Sequence, residues 1–290
     1  MTGRPPAYVG RFAPSPTGPL HFGSLVAAVG SYLDAKKHNG QWLLRIEDLD
    51  PPRESTTAPA EIMSQLRAYG LFWDGDVLFQ SSRLNAYEEN LGRLRNQGLV
   101  FPCICSRKSI VGVYPGACRS RSYESTEVPF AERLLTAGRK VEYEDLIFGT
   151  RYCDVEQDVG DFIVKRKDKL FAYQLAVIVD DAYQEVTHVI RGSDLMDSTP
   201  RQILLAEYLS LPVPAFGHIP VVTDVSGHKL SKQTHAAPVD RQNPLPVLRQ
   251  VLNVLGQHFG SNVNTVEQLL DFAIQQWDIN RIPRDSFRYV

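Results

Sequence analysis

The run Tyr8-Val9-Gly10-Arg11-Phe12-Ala13-Pro14-Ser15-Pro16-Thr17-Gly18-Pro19-Leu20-His21-Phe22-Gly23-Ser24 decides how the rest of the chain is read. Tyr8 to Ala13 is short, apolar and β-prone, and Pro14 to Gly18 is rich in turn formers. From about His21 a helical period begins, with Leu25, Val29 and Leu33 on one face. A strand that passes through a tight loop into a helix is the opening unit of a parallel α/β sheet. Helix starts of this kind collect phosphate, because free backbone N–H groups and the helix dipole both favour negative charge there. Gly18 and Gly23 let a nucleotide lie close against the backbone, Ser24 sits at the same helix start, and His21 can donate to phosphate oxygens as charge moves in a transition state. A Pro/Gly turn beside a histidine is also a common surface turn, so a second signal is needed.

Outward from this stretch, Gln41 to Ile46 reads as a second strand, followed by Glu47-Asp48-Leu49-Asp50, the breaker Pro51-Pro52 and a helix over roughly Ala58 to Tyr69. Residues 101–159 break the rhythm with clustered Cys, Gly, Pro and Ser and read as an insertion. Asp161 to Lys165 and Glu185 to Ile190 then read as strands, Ser198 to Leu209 as a helix and Gly217 to Thr223 as a last strand. Helical stretches over Leu245 to Leu255 and Val266 to Trp277 finish the chain. The expected class is α/β. Residues 1–100 and 161–233 form the halves of a Rossmann-type parallel-sheet catalytic domain, 101–160 an inserted subdomain with a candidate zinc site, and 234–290 a short helical C-terminal region.

Composition bounds the function. A chain of 290 residues, 43% hydrophobic and 22% charged, is in the ordinary globular range. A net charge of −2 argues against a surface that binds nucleic acid all over, so any RNA contact must rest on local patches. Arg107, Lys108, Arg119 and Arg121, and Lys165-Arg166-Lys167, are the candidates, and each is equally explained as a solvated face. No signal-peptide pattern and no apolar run approaching ~18 residues is present, which leads to the expectation of a cytoplasmic protein. The four cysteines do not suggest a disulfide framework. Cys103-x-Cys105 with Cys118 further on offers three thiolates where a closed tetrahedral zinc site needs four ligands, and plain buried thiols are the alternative. Cys153 stands apart and reads as a core residue.

The second signal is Lys229-Leu230-Ser231-Lys232-Gln233, after the last expected strand. Lys229 and Lys232 can close over a triphosphate and neutralise charge as pyrophosphate departs, although alone they also suit a solvated basic loop. Arg11 to Ser24 resembles the HIGH region, and Lys229 to Gln233 the KMSKS loop, of class I aminoacyl-tRNA synthetases. Arg11 to Gly18, Arg45-Ile46-Glu47-Asp48-Leu49-Asp50 and Ile190-Arg191-Gly192-Ser193-Asp194-Leu195 narrow the resemblance to the glutamyl type. It spans roughly Tyr8 to Gln233. Ser24, Leu230 and Gln233 depart from the motif letters at places where glutamyl-type enzymes vary.

The resemblance implies an ATP-dependent ligase that uses Mg²⁺ with ATP. His21, Lys229 and Lys232 would be catalytic, and Gly18, His21, Gly23, Ser24 and Lys232 would surround ATP. L-glutamate would meet Arg11, Phe12, Ala13, Pro14, Ser15, Glu47, Tyr173 and Arg191, with the arginines suited to carboxylates, Glu47 to the α-ammonium and Tyr173 to the side-chain carboxylate. On the residues alone, Glu47 is also a solvated strand end and Tyr173 a core aromatic. Asp48 and Asp50 are expected to organise their loop, and Arg53 to pair with them.

Cys103, Cys105, Tyr114 and Cys118 match the metal set of a short glutamyl-type subgroup, one Zn²⁺ per chain, with a water or carboxylate as alternatives to Tyr114. Residues 234–290 are too few for a large anticodon-reading domain. That shortness adds to the likeness to this subgroup, which activates glutamate without tRNA and attaches it to the queuosine base at the wobble position of tRNA(Asp). The alternatives are a minimal conventional glutamyl-tRNA synthetase acylating the tRNA 3′ end, or a non-catalytic tRNA-binding paralogue.

Overall fold

A computed structural model describes residues 8–223, 237–260 and 262–288. Strand β1 (Val9–Phe12) leads through the Pro14–Gly18 loop into α1 (Phe22–Lys37), which buries Leu25, Val29 and Leu33 and closes with Lys36 and Lys37 near the negative end of its dipole. The chain returns along β2 (Gln41–Ile46), parallel to β1 with Val9 opposite Gln41 and Phe12 opposite Leu44. Helix α2 (Ala58–Ala68) then leads to the short β3 (Leu78–Phe79), parallel to β2. Helix α3 (Leu84–Asn96) follows; its polar sequence gave no strong apolar stripe, and only Tyr87, Leu91 and Leu94 are buried.

The insertion contains more regular structure than its composition suggested. Strand β4 (Val100–Cys103) pairs antiparallel with β5 (Ala131–Leu134), and β6 (Lys140–Asp145) forms a hairpin with β7 (Gly149–Asp154). Strand β8 (Phe162–Lys165) corrects the expectation that the catalytic sheet resumes at Asp161, because it pairs antiparallel with β5 inside the insertion. Conversely, the β6–β7 hairpin joins the catalytic sheet. The division at residue 160 therefore does not coincide with a sheet boundary.

Helix α4 (Tyr173–Tyr183), absent from the sequence reading, leads to β9 (His188–Gly192), α5 (Thr199–Leu209) and β10 (Ala215–Ile219). β10 pairs in parallel with β9 on one side and meets β6 on the other. The N–H of Thr187, just before β9, donates to the Val9 carbonyl at 2.9 Å, so β9 adjoins β1 and the two α/β halves meet edge to edge. The expected strand over Gly217 to Thr223 is two pieces. Pro220, which cannot donate to a ladder, separates β10 from β11 (Val222–Thr223), which pairs in parallel with β12 (Phe287–Arg288).

Helices α6 (Pro244–Val254) and α7 (Val266–Gln276) pack with α1 and α2 on one face, around Leu25, Leu33, Trp42, Leu66 and Leu252. Helices α3, α4 and α5 cover the other, around Tyr87, Leu91, Leu175, Val189 and Leu204. Gly30 permits this closeness: a Cβ there would lie 2.4 Å from Ile219 Cδ1. Among the described residues, no helix is long and apolar enough to cross a membrane.

Candidate active site

In a parallel sheet the ligand-binding crevice lies beyond the C-terminal strand ends, where the chain's winding direction reverses. Here that point lies between β1 and β9, and a cleft of about 470 Å³ opens there. Phe12, Ala13, Pro14, Ser15 and Thr17 after β1 form one wall, with His21, Gly23 and Ser24 at the start of α1. Glu47 after β2, Tyr173 at the start of α4, Gly192 at the end of β9, Asp194 just beyond it, and Val221 and Val222 also line it.

Backbone hydrogen bonds hold the β1 loop in shape. Glu47 N donates to Pro14 O at 3.1 Å and Ser55 N to Pro16 O at 2.9 Å. The Gln65 side chain of α2 accepts from Leu20 N at 2.7 Å. Gly18 adopts φ +144°, a conformation side chains resist, and lies next to lining residue Thr17 rather than in the wall itself. His21 caps α1, its Nδ1 accepting from Ser24 N at 3.3 Å, and no acidic residue occupies the helix's first turn. The positive end of the dipole therefore faces the cleft uncompensated by an acidic side chain of that turn.

Lys229 and Lys232 lie outside the described residues. The chain re-enters description beside the helix start: His21 bridges to Pro238, and Val239 N donates to Leu20 O at 3.0 Å.

The two arginines do not line the cleft. Arg11 is buried against Asp181, its Nε 3.2 Å from Oδ1 and Nη2 3.4 Å from Oδ2. Arg191 is buried and fully engaged: Nε donates to His218 Nε2 (3.1 Å), Nη1 to Gln202 Oε1 (2.9 Å) and Tyr173 Oη (3.3 Å), and Nη2 to Thr199 Oγ1 (2.8 Å) and the Leu195 carbonyl (3.3 Å). A contact list drawn from sequence cannot tell a guanidinium in the wall from one behind it.

Sequence reasoning missed Asp181 and gave Arg45 no role. Arg45 is fully buried, with Nη2 2.7 Å from Asp181 Oδ1 and 3.5 Å from Glu47 Oε1. Asp181 is thus held by two guanidinium groups. Burial works against its charge, but Arg11 and Arg45 outweigh that and keep the carboxyl below the ordinary carboxylate range. Glu47 differs. Its Oε1 is buried without a hydrogen-bond partner, and burial raises its pKa despite Arg45 and Arg11. The available signal was the Asp180-Asp181 pair closing an apolar run. Arg53 and Asp194 also line the cleft; Arg53 was expected only to pair with Asp48 and Asp50, and Asp194 was quoted only within a motif.

In the surrounding loop Asp50 pairs with Arg53, as expected, and, at 3.2 Å, with Arg166, whereas Asp48 is taken up by Ser81, accepting from its N (2.8 Å) and Oγ (2.6 Å). The basic candidates are largely tied up: Arg119 with Asp161 and Glu156, Lys165 with Glu88, and Lys167 Nζ on the Ile104 carbonyl. Such paired cations are chiefly internal fastenings.

A separate cluster gathers Cys103, Cys105 and Cys118, whose sulfurs all lie within 4.8 Å of one another. Cys105 and Cys118 sulfurs are 3.7 Å apart, close to the ~3.8 Å edge of a tetrahedron with zinc–sulfur bonds of ~2.3 Å. Tyr114 Oη sits 3.5 Å from Cys103 Sγ and accepts from Cys118 N at 2.8 Å. Burial would raise the Cys118 thiol, but hydrogen bonds from Tyr114, the Ile104 backbone, Cys105 and Arg121 bring it to about 6. Three thiols with one hydroxyl at these spacings could hold a metal. Cys153 is elsewhere, half-buried on β7 and packed against the core beneath α4 and α5.

A family model described as the catalytic domain of class I tRNA synthetases (E and Q) matches residues 8–114 and 117–269. Glutamyl-Q tRNA(Asp) synthetase of Thiobacillus denitrificans is 47% identical over 290 residues, with 96% of each chain covered. The protein of the same name from Pseudomonas syringae pv. tomato is 45% identical over 284 residues, again with 96% of each chain covered. A solved glutamate tRNA ligase from Elizabethkingia meningosepticum shares the fold at TM-score 0.80 and 24% identity, covering 98% of this chain and 67% of its own.

Proposed function

The chain belongs to the glutamyl-Q tRNA(Asp) synthetase family of class I aminoacyl-tRNA synthetases, and we propose that it activates L-glutamate with ATP in the absence of tRNA and transfers it to the queuosine base at the wobble position of tRNA(Asp). The observation that carries the activation half is the cleft itself, where the Glu47 carboxylate, whose buried Oε1 makes no hydrogen bond among the described residues and meets the Arg45 guanidinium at 3.5 Å, faces the same space as the start of α1.

The chemistry follows from those two poles. Glu47 receives the α-ammonium of glutamate, an ion pair that relieves the cost of burying its charge. Tyr173 hydrogen-bonds the side-chain carboxylate, with Arg191 behind it and Arg11 adding positive potential from the other side. Phe12 to Ser15 shape the wall along the amino acid. ATP, with its Mg²⁺ as part of the substrate, lies over Gly18, Gly23 and Ser24. The α-carboxylate of glutamate attacks the α-phosphorus in line, and pyrophosphate leaves as His21, Lys229 and Lys232 take up its charge. No protein nucleophile is needed; positioning and charge stabilisation carry the rate. A hydroxyl of the queuosine cyclopentenediol then attacks the adenylate carbonyl, giving an ester and AMP.

Cys103, Cys105, Tyr114 and Cys118 hold one zinc ion in this reading. When bound, the ion supplies a cross-link between β4 and the loop that follows it, and no chemical step. The direct test is glutamate-dependent ATP–pyrophosphate exchange by the protein alone, against a panel of amino acids. Exchange with glutamate and without RNA is expected; an absolute requirement for tRNA, or no exchange at all, overturns the reading.

A further inference from the structure

Behind the cleft, a polar chain runs from the insertion to the substrate side. Asp145, the last residue of β6, and His218, in β10, are both fully buried, with His218 Nδ1 2.5 Å from Asp145 Oδ2. Asp145 Oδ1 also accepts from the backbone N–H groups of Ile147 (3.0 Å) and Phe148 (2.9 Å), which fixes the carboxylate. On its other side, His218 Nε2 lies 3.1 Å from Arg191 Nε. Thr199 Oγ1, which accepts from Arg191 Nη2, also lies 3.1 Å from Nε2. Arginine can only donate, so its contact requires Nε2 to accept, places the imidazole proton on Nδ1, facing Asp145, and leaves the Thr199 hydroxyl as a further donor to Nε2. Burial lowers the His218 pKa, which agrees with a neutral ring, and hydrogen bonds outweigh burial to keep Asp145 ionised.

We infer that Asp145 and His218 are positioning residues for glutamate recognition: they lock one imidazole tautomer, which fixes the Arg191 guanidinium and, through Arg191 Nη1, the hydroxyl of Tyr173 in the cleft wall. This rests on the reading of the cleft as the glutamate site. The consequence is unusual for an inserted element, because its hairpin contributes to the selection of a small substrate. With Asp145 absent, His218 has no reason to keep its proton on Nδ1. An Nε2–H tautomer would set two donors against each other at 3.1 Å and redirect the ring toward Thr199 Oγ1, an acceptor at the same distance. The guanidinium, still held by Gln202, Thr199 and the Leu195 carbonyl, would shift off His218, and its 3.3 Å contact with the Tyr173 hydroxyl would weaken.

Two measurements on the full chain test this. Long-range ¹H–¹⁵N spectra of histidine-labelled protein, with His218 assigned from His218→Gln, should show an Nδ1–H tautomer at neutral pH. An imidazolium or an Nε2–H tautomer overturns the inference, whatever the enzyme's activity. In pyrophosphate exchange, Asp145→Asn should raise the KM for glutamate by about tenfold while the KM for ATP and kcat stay within about twofold. Tyr173→Phe should do the same, and the double variant should be no worse than Tyr173→Phe alone, because both act on one contact. Additive losses, or a fall in kcat with KM unchanged, would contradict the positioning role. No exchange by the unmodified chain would instead remove the reading of the cleft and leave the tautomer result standing.

Discussion

The loops around the cleft and the loop carrying the cysteines are held by different means. Around the cleft, each loop leaves a strand of a sheet with a full apolar core on either face, and its backbone is fastened to a neighbouring loop, as Glu47 is to Pro14. Around the thiols, among the described residues, the buried cluster is Phe101, Cys103, Tyr114 and Cys118, with Ile104, Cys105, Ile110 and Leu135 partly buried against it. That is little apolar area to fix a loop, so the metal cross-link proposed above would add stability there, whereas the cleft is fastened without one. The two regions should therefore respond oppositely to perturbation: charge changes damage the cleft, and ligand loss damages the insertion.

The largest effect is expected at Asp181. Replacing it with Ala leaves Arg11 and Arg45 buried without their shared carboxylate and should cost about 3–5 kcal/mol, read from urea unfolding of the whole chain. A loss near zero would mean the cleft is not built on this pair of guanidinium groups. The pH sign follows: a carboxyl with a depressed folded pKa stabilises above its unfolded pKa, and that contribution disappears as pH falls through the folded value.

Next is Lys232→Ala, which should slow pyrophosphate exchange by roughly a hundredfold with little change in the KM for glutamate, because its charge is needed chiefly as pyrophosphate leaves. An unchanged rate would make the basic segment a solvated turn.

Glu47 gives a smaller and pH-dependent effect. Burial raises its folded pKa, so the carboxylate that meets the substrate ammonium is lost at pH values above the usual carboxylate range. Glutamate binding should strengthen as pH rises through that value, weakening by about tenfold per pH unit below it. Glu47→Gln should bind weakly and without that slope. The same slope in the variant would assign the titration to another group.

Cys103→Ser should affect activation least. Zinc content is expected to drop from about one per chain, and the insertion should become sensitive to proteolysis, while exchange continues nearly unchanged. Equal loss of exchange would mean the two regions are mechanically one.

The sequence exposed the parts of this arrangement that depend on local period and turn chemistry. The Leu25, Val29 and Leu33 stripe, the Pro14–Gly18 turn and strand Gln41–Ile46 are each fixed by neighbours in sequence. It hid the parts set by distant contacts. Leu175 to Val179 is a continuous apolar run, equally suited to a strand, and becomes α4 only because it packs between sheet and α5. Ala131–Leu134 carries Glu132 and Arg133 in a buried strand, tolerated because Arg95 and the Asp161 carbonyl meet them. The candidate site residues were proposed where backbone motifs announce them. The direction of Arg11 and Arg191, and the part played by Asp181, depend on strands far apart in the chain.

The acceptor is the central claim, and one measurement addresses it directly. Purified protein, ATP and radiolabelled glutamate are incubated with queuosine-containing tRNA(Asp) whose 3′ end has been trimmed enzymatically, with the same trimmed RNA lacking queuosine as control. Trimming is preferable to periodate, which also attacks the queuosine diol. The account predicts label on the trimmed queuosine RNA and none on the control. Label that appears only when the 3′ end is intact, irrespective of queuosine, would contradict it and identify a minimal enzyme of the conventional aminoacylating kind.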